Sequence, residues 1–402
     1  MARIVVGISG GVDSSVAAYL LKEQGHEVIG LFMINWHDTT GTLEGDCAWH
    51  DDRVFAELVA KKLDIELHVV DLSAHYKTRV VEYMFSEYEK GRTPNPDVLC
   101  NREIKFDVFL KEALKLGAEY VATGHYCRKA EEITPNGETT HKLLAGSDPN
   151  KDQSYFLCQL SQEQLSRAIF PVGDLLKPEV RRYADEQKLA TAKRKDSQGI
   201  CFVGKVDLPV FLQQQLSKKV GNIHEIKAEW PKFDREILEM PYADIVASQE
   251  LMARASAPNR YTVRDGKKIG THNGAHFYTI GQRKGLGIGG RKESLYIIGT
   301  NVVENVIYVG EGDSHLGLQR RAIYISPEET HWIDPSFKLS EGESFRFLVR
   351  IRYRQPLQWA TLCVTHTGTY IVFDEPQRSV AAGQFAAWYH GDELVGSGVI
   401  AY

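Results

Sequence analysis

No run of apolar residues in this 402-residue chain approaches the roughly 20 that a membrane-spanning helix needs. The N-terminus also lacks a basic stretch followed by an apolar core and a cleavage site. Met1-Ala2-Arg3-Ile4-Val5-Val6 passes straight into a strand pattern, so residence in the cytoplasm is the default expectation, with no membrane partner. Cysteine is sparse: Cys47, Cys100, Cys127, Cys158, Cys201 and Cys363 lie far apart, and none forms a CxxC pair. That spacing argues against a disulfide framework and against a zinc ribbon, so no protein-held metal is expected. It leaves room for one or two reactive thiols among structural ones. Repeats and low-complexity tracts are missing as well. Neither sign of charge dominates, the formal net charge being -5, so a nucleic-acid partner has to be sought in local patches.

The length suggests two or three domains. Strand patterns at Arg3–Ile8, Glu27–Phe32, Ile65–Val70 and Tyr120–Thr123 alternate with helical patterns at Asp13–Gln24, Ala48–Leu63, His75–Glu89 and Arg102–Leu116. Such alternation predicts an α/β domain with a parallel sheet, whose ligands sit beyond the carboxyl ends of the strands. Near residue 205 the pattern changes, and from about residue 294 short β runs dominate, as in a small antiparallel barrel. The expected division is the α/β domain over 1–204, a central domain over 205–310 and a C-terminal β-barrel over 311–402. An acidic insert at about 223–265 lies in the central domain; Glu225–Glu250 carries seven acidic and three basic residues.

The loop Gly7-Ile8-Ser9-Gly10-Gly11-Val12-Asp13-Ser14-Ser15 joins the first strand to the first helix. Gly10 and Gly11 let the backbone approach an anion, the helix start offers free N–H groups, and the serines add hydroxyls. The lysine of a P-loop is missing. SGGVDS instead resembles the pyrophosphate loop of ATP pyrophosphatases, which implies cleavage of ATP between its α and β phosphates and activation of a substrate as its adenylate. A glycine turn capped by serines is the alternative.

Two cysteines stand in distinctive settings. Cys100 follows Pro94-Asn95-Pro96-Asp97-Val98-Leu99, ahead of the expected helix, where a helix N-terminus would favour its thiolate. Cys201 follows the basic run Lys193-Arg194-Lys195 and Gly199. Each could equally be a buried structural cysteine. Beside an adenylating loop, two such thiols suggest one chemistry: AMP activates a carbonyl oxygen, a persulfide sulfur displaces it, and the second thiol resolves the persulfide.

SGGVDSS (9–15), LFMINW (31–36), NPDVLCN (95–101), TGHY (123–126), KDQSYFL (151–157), DSQGICF (196–202), YTIGQRKGLGIGG (278–290) and RYRQ (352–355) together resemble the bacterial tRNA-specific 2-thiouridylase family, over nearly the whole chain. The resemblance implies ATP, with Mg²⁺ on the nucleotide, held by Gly7, Ile8, Ser9, Gly10, Gly11, Val12, Asp13, Ser14, Met33 and Gly124. It implies that Asn95, Pro96 and Asp97 meet the target base. Cys100 would be the nucleophile and Cys201 the persulfide carrier, the two able to form a transient disulfide, with Asp97 catalytic. His125, Lys151, Asp152, Gln153, Arg352, Tyr353 and Gln384 would touch tRNA, and a persulfide-bearing protein would deliver the sulfur. The stretch between Gly221-Asn222-Ile223 and Lys268-Ile269-Gly270 is longer than the family's usual link. A solvated elaboration is one reading of it, and a docking site for a partner is the other.

Two basic patches fit an RNA acceptor. Arg260–Lys292 holds eight Lys/Arg against one Asp. Phe345, Phe347, Val349, Ile351 and Tyr353 alternate with Arg346, Leu348, Arg350, Arg352 and Arg354, a strand with one mostly arginine face. Either patch alone fits a solvated face. A uridine in an anticodon loop would have to leave its stack to react, and Trp36 or Tyr126 could receive it. The competing functions are an adenylating ligase acting on a small molecule, which needs no paired thiols, and a non-catalytic RNA binder, which leaves SGGVDSS unexplained.

Overall fold

The computed structural model describes residues 1–37, 48–196, 199, 201 and 208–402. Strands Arg3–Gly7 (β1), Glu27–Ile34 (β2), Glu66–Asp71 (β3) and Tyr120–Ala122 (β4) form a parallel sheet in the order β3-β2-β1-β4, which Ala168–Ile169 extends. Ile4, Val5 and Val6 are all fully buried, as a strand covered on both faces requires. On one face Ile4 and Val6 pack with Val16 and Ala17 of helix Val12–Glu23 (α1) and with Ala56 and Val59 of helix Ala48–Leu63 (α2). On the other, Val5, Leu31 and Met33 pack with Tyr76, Phe106 and Phe109. β2 and β4 flank β1 on opposite sides, so the loops leaving β1 and β4 part there and open a crevice at the carboxyl ends.

The helix expected from Arg102 begins earlier. Asn95 accepts hydrogen bonds from the N–H groups of Asp97 and Val98, Pro96 occupies the first turn, and helical backbone runs through Pro96–Leu99, Cys100–Val108 and Phe109–Lys115. The middle piece is π-helical. π-turns are rare and gather at functional sites.

Gly221–Glu225, Lys267–His272, Leu295–Asn301 and Val306–Glu311 make the central sheet. Seven strands from Gln319–Ile325 to Glu393–Val399 make the antiparallel C-terminal barrel around Ile323, Phe347, Leu362, Phe373 and Trp388. A hairpin of the first domain, Cys127–Ile133 with Thr139–Ala145, continues the barrel sheet through Leu144 and Glu393, a junction the sequence pattern did not suggest.

Two expectations change. The strand with the arginine face ends at Arg350, and its arginines are already engaged. Arg346 makes a two-pronged pair with Asp374 at 2.9 and 2.7 Å and lies over Tyr242. Arg350 forms a buried pair with Asp152 at 2.8 Å. These guanidiniums brace the protein and are not an open RNA patch. The acidic insert, for its part, is not loosely solvated. Trp230 and Phe233 pack on Tyr261, Ile298 and Tyr308 of the central domain, whereas Ile237, Ile245 and Met252 pack on Ala322, Tyr370 and Val372 of the barrel. Asp234 caps the helix that follows it and pairs with Arg254, so part of the acidity is spent inside the insert. Among the described residues no helix is long and apolar enough to cross a membrane.

Candidate active site

The phosphate loop is shaped by contacts that leave no room for side chains. Gly10 has φ +73°, and a Cβ there would lie 2.3 Å from the carbonyl oxygen of Asp52. A Cβ on Gly124, in the loop after β4, would lie 2.6 Å from the backbone nitrogen of Ser14, so this glycine lets the β4 loop rest on the start of α1. Gly11 is the N-cap and brings no side chain; Ser14 Oγ instead accepts from the backbone N–H of Ser9 at 3.1 Å. Beside the loop lies an ion network. Lys177 donates to Asp13 at 2.6 Å, Tyr126 donates to the same carboxylate at 2.7 Å, and Arg194 reaches the Gly10 carbonyl at 2.8 Å and Asp52 at 2.7 Å. Burial opposes ionisation of Asp196, but Lys151, Lys177 and Arg181 surround it, and its carboxyl is held down to about 2. Lys177, Arg181 and Arg194 are thus cations at an anion site that the motif reading missed. Gly10→Ala is expected to abolish ATP binding while tRNA affinity stays within about twofold; calorimetry with each ligand checks it. Unchanged ATP affinity would mean that this loop is not the phosphate site.

Beyond the loop the structure brings Asp97, Cys100 and Cys201 together. The backbone N–H of Cys201 donates to Asp97 Oδ1 at 2.9 Å, and the Tyr76 hydroxyl donates to the Cys201 carbonyl at 2.7 Å. The two thiols hydrogen-bond each other. Cys100 is fully buried, whereas Cys201 keeps part of its surface open. Their acidities diverge. Burial, with Cys201 as neighbour, pushes the Cys100 thiol well above its ordinary value. The hydrogen bond from Cys100 lowers that of Cys201 and outweighs burial, helped by the ammonium of Lys105. The expected helix-terminus effect at Cys100 therefore fails, because the helix has already turned once before it. Burial raises the Asp97 carboxyl above its ordinary value, opposed by the Cys201 N–H and by the charge of Lys105.

Lys105 was not singled out from the sequence. In an α-helix the residue five positions on is turned about 140° away from Cys100; the wider π-helical turn reduces that offset, and residue 105 comes to the thiols. Burial works against its charge, but Cys201, Cys100 and Asp97 together hold its pKa above the ordinary value. Its ammonium lies 3.4 Å from His125 Nε2. That nitrogen must then be the acceptor, so Nδ1 carries the proton and donates to Thr123 Oγ1 at 2.8 Å. Burial, reinforced by Lys105, keeps His125 neutral.

A family described as the tRNA methyl transferase HUP domain matches residues 2–205, its PRC-barrel domain matches 254–311, and an aminomethyltransferase beta-barrel domain matches 322–400. The tRNA-specific 2-thiouridylases MnmA of Christiangramia forsetii and Flavobacterium johnsoniae are 56% and 57% identical over 400 residues, covering 100% of this chain and of each relative. That of Pseudomonas aeruginosa strain LESB58 is 44% identical over 99% of this chain and 94% of its own length. The chain belongs to the tRNA-specific 2-thiouridylase family.

The residues that the thiouridylase pattern assigns to tRNA do not all face outward. Asp152 is buried against Arg350 and accepts the N–H groups of Gly146 and Ser154, so it is an internal brace and not an RNA contact. Gln384 donates to the carbonyls of Thr93 and Pro94 and so holds the segment leading to Asp97. Arg352 is tied to the carbonyls of Ile280 and Ser379, joining central domain to barrel. His125 is buried beside Lys105, and Gln153 accepts the Tyr126 N–H. Lys151 lies with the phosphate-loop cations, and Tyr353 packs on Phe156 at 4.3 Å between ring centres. Asn95 spends its side-chain oxygen on the helix cap, and Met33 reaches the backbone of Gly7. Trp36 packs on Tyr76 and Phe211, and the Tyr126 hydroxyl is taken by Asp13. Cys127, Cys158 and Cys363 are buried, and burial raises the pKa of each, as structural thiols require. Cys47 and residues 197, 198, 200 and 202 of the Cys201 motif lie outside the described residues. In the basic segment Arg291 pairs with Glu225, while Arg264, Lys267, Lys268, Arg283, Lys284 and Lys292 are exposed.

Proposed function

We propose that this chain uses ATP to replace the C2 oxygen of the wobble uridine of tRNA with sulfur. The observation that carries this reading is the thiol pair. One acidified thiol, on a partly exposed residue, rests against that of a fully buried cysteine and next to a buried carboxyl, in a domain whose phosphate loop lacks a P-loop lysine. ATP, bearing Mg²⁺ on its phosphates, occupies Gly7–Ser14 with Met33 and Gly124, and the C2 oxygen attacks its α-phosphate as pyrophosphate leaves. The terminal sulfur of a Cys201 persulfide then attacks C2 and AMP departs, leaving uridine joined to Cys201 through S–S. Cys100, its proton passing towards Asp97, attacks the Cys201 sulfur. That S–S bond breaks, the thiouridine keeps the outer sulfur, and a Cys100–Cys201 disulfide remains for an external dithiol to reduce. A persulfide-bearing protein reloads Cys201. Compartment and sulfur donor belong to this proposal: a cytoplasmic enzyme served by a soluble donor.

RNA is supported by the exposed cations of the central glycine-rich loop. A small-molecule ligase would leave both that loop and the thiol pair without work. The double change Arg283→Ala and Lys284→Ala is expected to weaken tRNA binding and to flatten its dependence on log salt by about two phosphate contacts' worth. Arg346→Ala is expected to lower the melting temperature and leave that slope alone. Nucleoside mass analysis of tRNA from cells lacking the protein tests the whole reading: 2-thiouridine derivatives should vanish, and a normal level would refute it.

A further inference from the structure

Cys201 is held at both polar groups of its backbone by side chains from far along the chain. Its N–H donates to Asp97 Oδ1 at 2.9 Å across 104 positions, and its carbonyl accepts from the Tyr76 hydroxyl at 2.7 Å across 125. The first bond ties Cys201 to the helix that carries Cys100, because Asp97 lies three positions before that cysteine on helical backbone. A single hydrogen bond is a pivot about which the thiol could swing. The second bond comes from a separate element, the short helix Ser73–Tyr76. Tyr76 is fully buried, its ring meets that of Trp36 edge-on at 6.3 Å between centres, and it packs in one core with Val80, Cys100, Ile104 and Phe211. A ring so enclosed presents its polar tip at a fixed point. Burial, with Cys100, Cys201 and Asp97 as neighbours, holds the Tyr76 hydroxyl well above its ordinary pKa, so it stays protonated and donates.

We propose that Tyr76 is a positioning residue for the thiol pair: with Asp97 it forms a two-point clamp on the backbone of Cys201 that keeps the Cys201 sulfur within reach of Cys100. This rests on the two-thiol reading above and adds a residue to it. The clamp acts through effective concentration. A target already in place when Cys100 attacks the Cys201 sulfur makes that step, and the disulfide it leaves, more favourable than for a thiol free to swing away. The same placement keeps Cys201 under the hydrogen bond from Cys100 that acidifies it. The net worth of one such hydrogen bond corresponds to about a fivefold change in an equilibrium constant.

The test is the thiol–disulfide equilibrium of the full chain against dithiothreitol, without ATP or tRNA, on wild type and on Tyr76→Phe. Oxidised dithiothreitol takes two electrons and two protons from Cys100 and Cys201, whose sulfurs join as its own S–S bond opens. Peptide mass analysis after acid quench and alkylation counts the product. Phenylalanine keeps the ring in the core and removes only the hydroxyl, and a melting curve checks folding. Tyr76→Phe is expected to shift the equilibrium about fivefold towards the free thiols. The alkaline-rising limb of iodoacetamide labelling at Cys201 should move to higher pH, while ATP affinity and KM for tRNA stay within about twofold. A merely structural role would lower the melting temperature and leave the equilibrium alone. An unchanged equilibrium in folded Tyr76→Phe overturns the proposal while leaving the thiol reading intact. Failure of wild type to form a Cys100–Cys201 disulfide removes the thiol reading and this proposal with it. Should Tyr76→Phe not fold, the other point of the clamp decides. Asp97→Asn keeps an acceptor for the Cys201 N–H and should hold the wild-type equilibrium, whereas Asp97→Ala should shift it about fivefold; equal behaviour of the two refutes the clamp.

Discussion

Cys201→Ser is expected to leave ATP and tRNA binding within about threefold of wild type and to reduce thiolation below detection, because serine cannot hold a persulfide. Cys100→Ser should fail differently. Its Cys201 still accepts sulfur and still attacks the activated uridine, but the buried partner that would cleave the resulting S–S bond is gone. A tRNA–protein adduct should therefore accumulate and be released by dithiothreitol, readable as a mobility shift on a denaturing gel. If Cys100→Ser instead stalls with persulfide on Cys201 and no adduct, Cys100 acts earlier, freeing sulfide that attacks by itself. Thiolation by Cys201→Ser at wild-type rate would remove the cysteine mechanism altogether.

Lys105→Met should lower kcat by about 10²-fold, near the bottom of the range for removing one group that acts on protons or charge at the reacting centre. The sign of its pH dependence follows from the thiol it faces. The Cys201 pKa is depressed first by the hydrogen bond from Cys100 and then, against burial, by the Lys105 cation. Without that cation the thiolate becomes scarcer at neutral pH, so the alkaline-rising limb of the rate and of iodoacetamide labelling at Cys201 should move to higher pH. Lys105→Arg should restore much of the labelling profile because it restores the charge. A labelling profile unmoved in Lys105→Met would assign Lys105 to structure. KM for tRNA should change little, since the ammonium faces the sulfurs.

What could be read in advance and what could not divide along sequence distance. The phosphate loop was legible because its requirements are contiguous: a strand, a glycine with positive φ, hydroxyls and a helix start within nine residues. The thiol pair was legible as two unusual settings, although the acidity was assigned partly to the wrong member. That assignment leaned on a helix start at Arg102, whereas Asn95 and Pro96 start it a turn earlier. Lys105 was hidden because the π-helical backbone breaks the 3.6-residue period on which face assignments rest. Lys177 and Arg194 were hidden for another reason, since their partners Asp13 and Gly10 lie 164 and 184 residues away. The arginine face illustrates the converse. Alternation correctly found a strand with one charged side, but whether arginines face water or carboxylates depends on Asp374 and on Asp152, which is 198 residues from Arg350.

The unequal burial of the two thiols has a consequence for traffic through the enzyme. Cys100 is fully buried, whereas Cys201 is the member of the pair whose residue retains some exposed surface. In the proposed cycle sulfur would therefore enter through the same residue that a reductant would strike to reopen the disulfide after each turnover. Loading and resetting share one doorway and cannot overlap. A surplus of reductant would strip the incoming persulfide, and a shortage would leave the enzyme locked after a single uridine. The rate of thiolation should accordingly peak at an intermediate reducing strength, making the modification a gauge of the thiol balance around it.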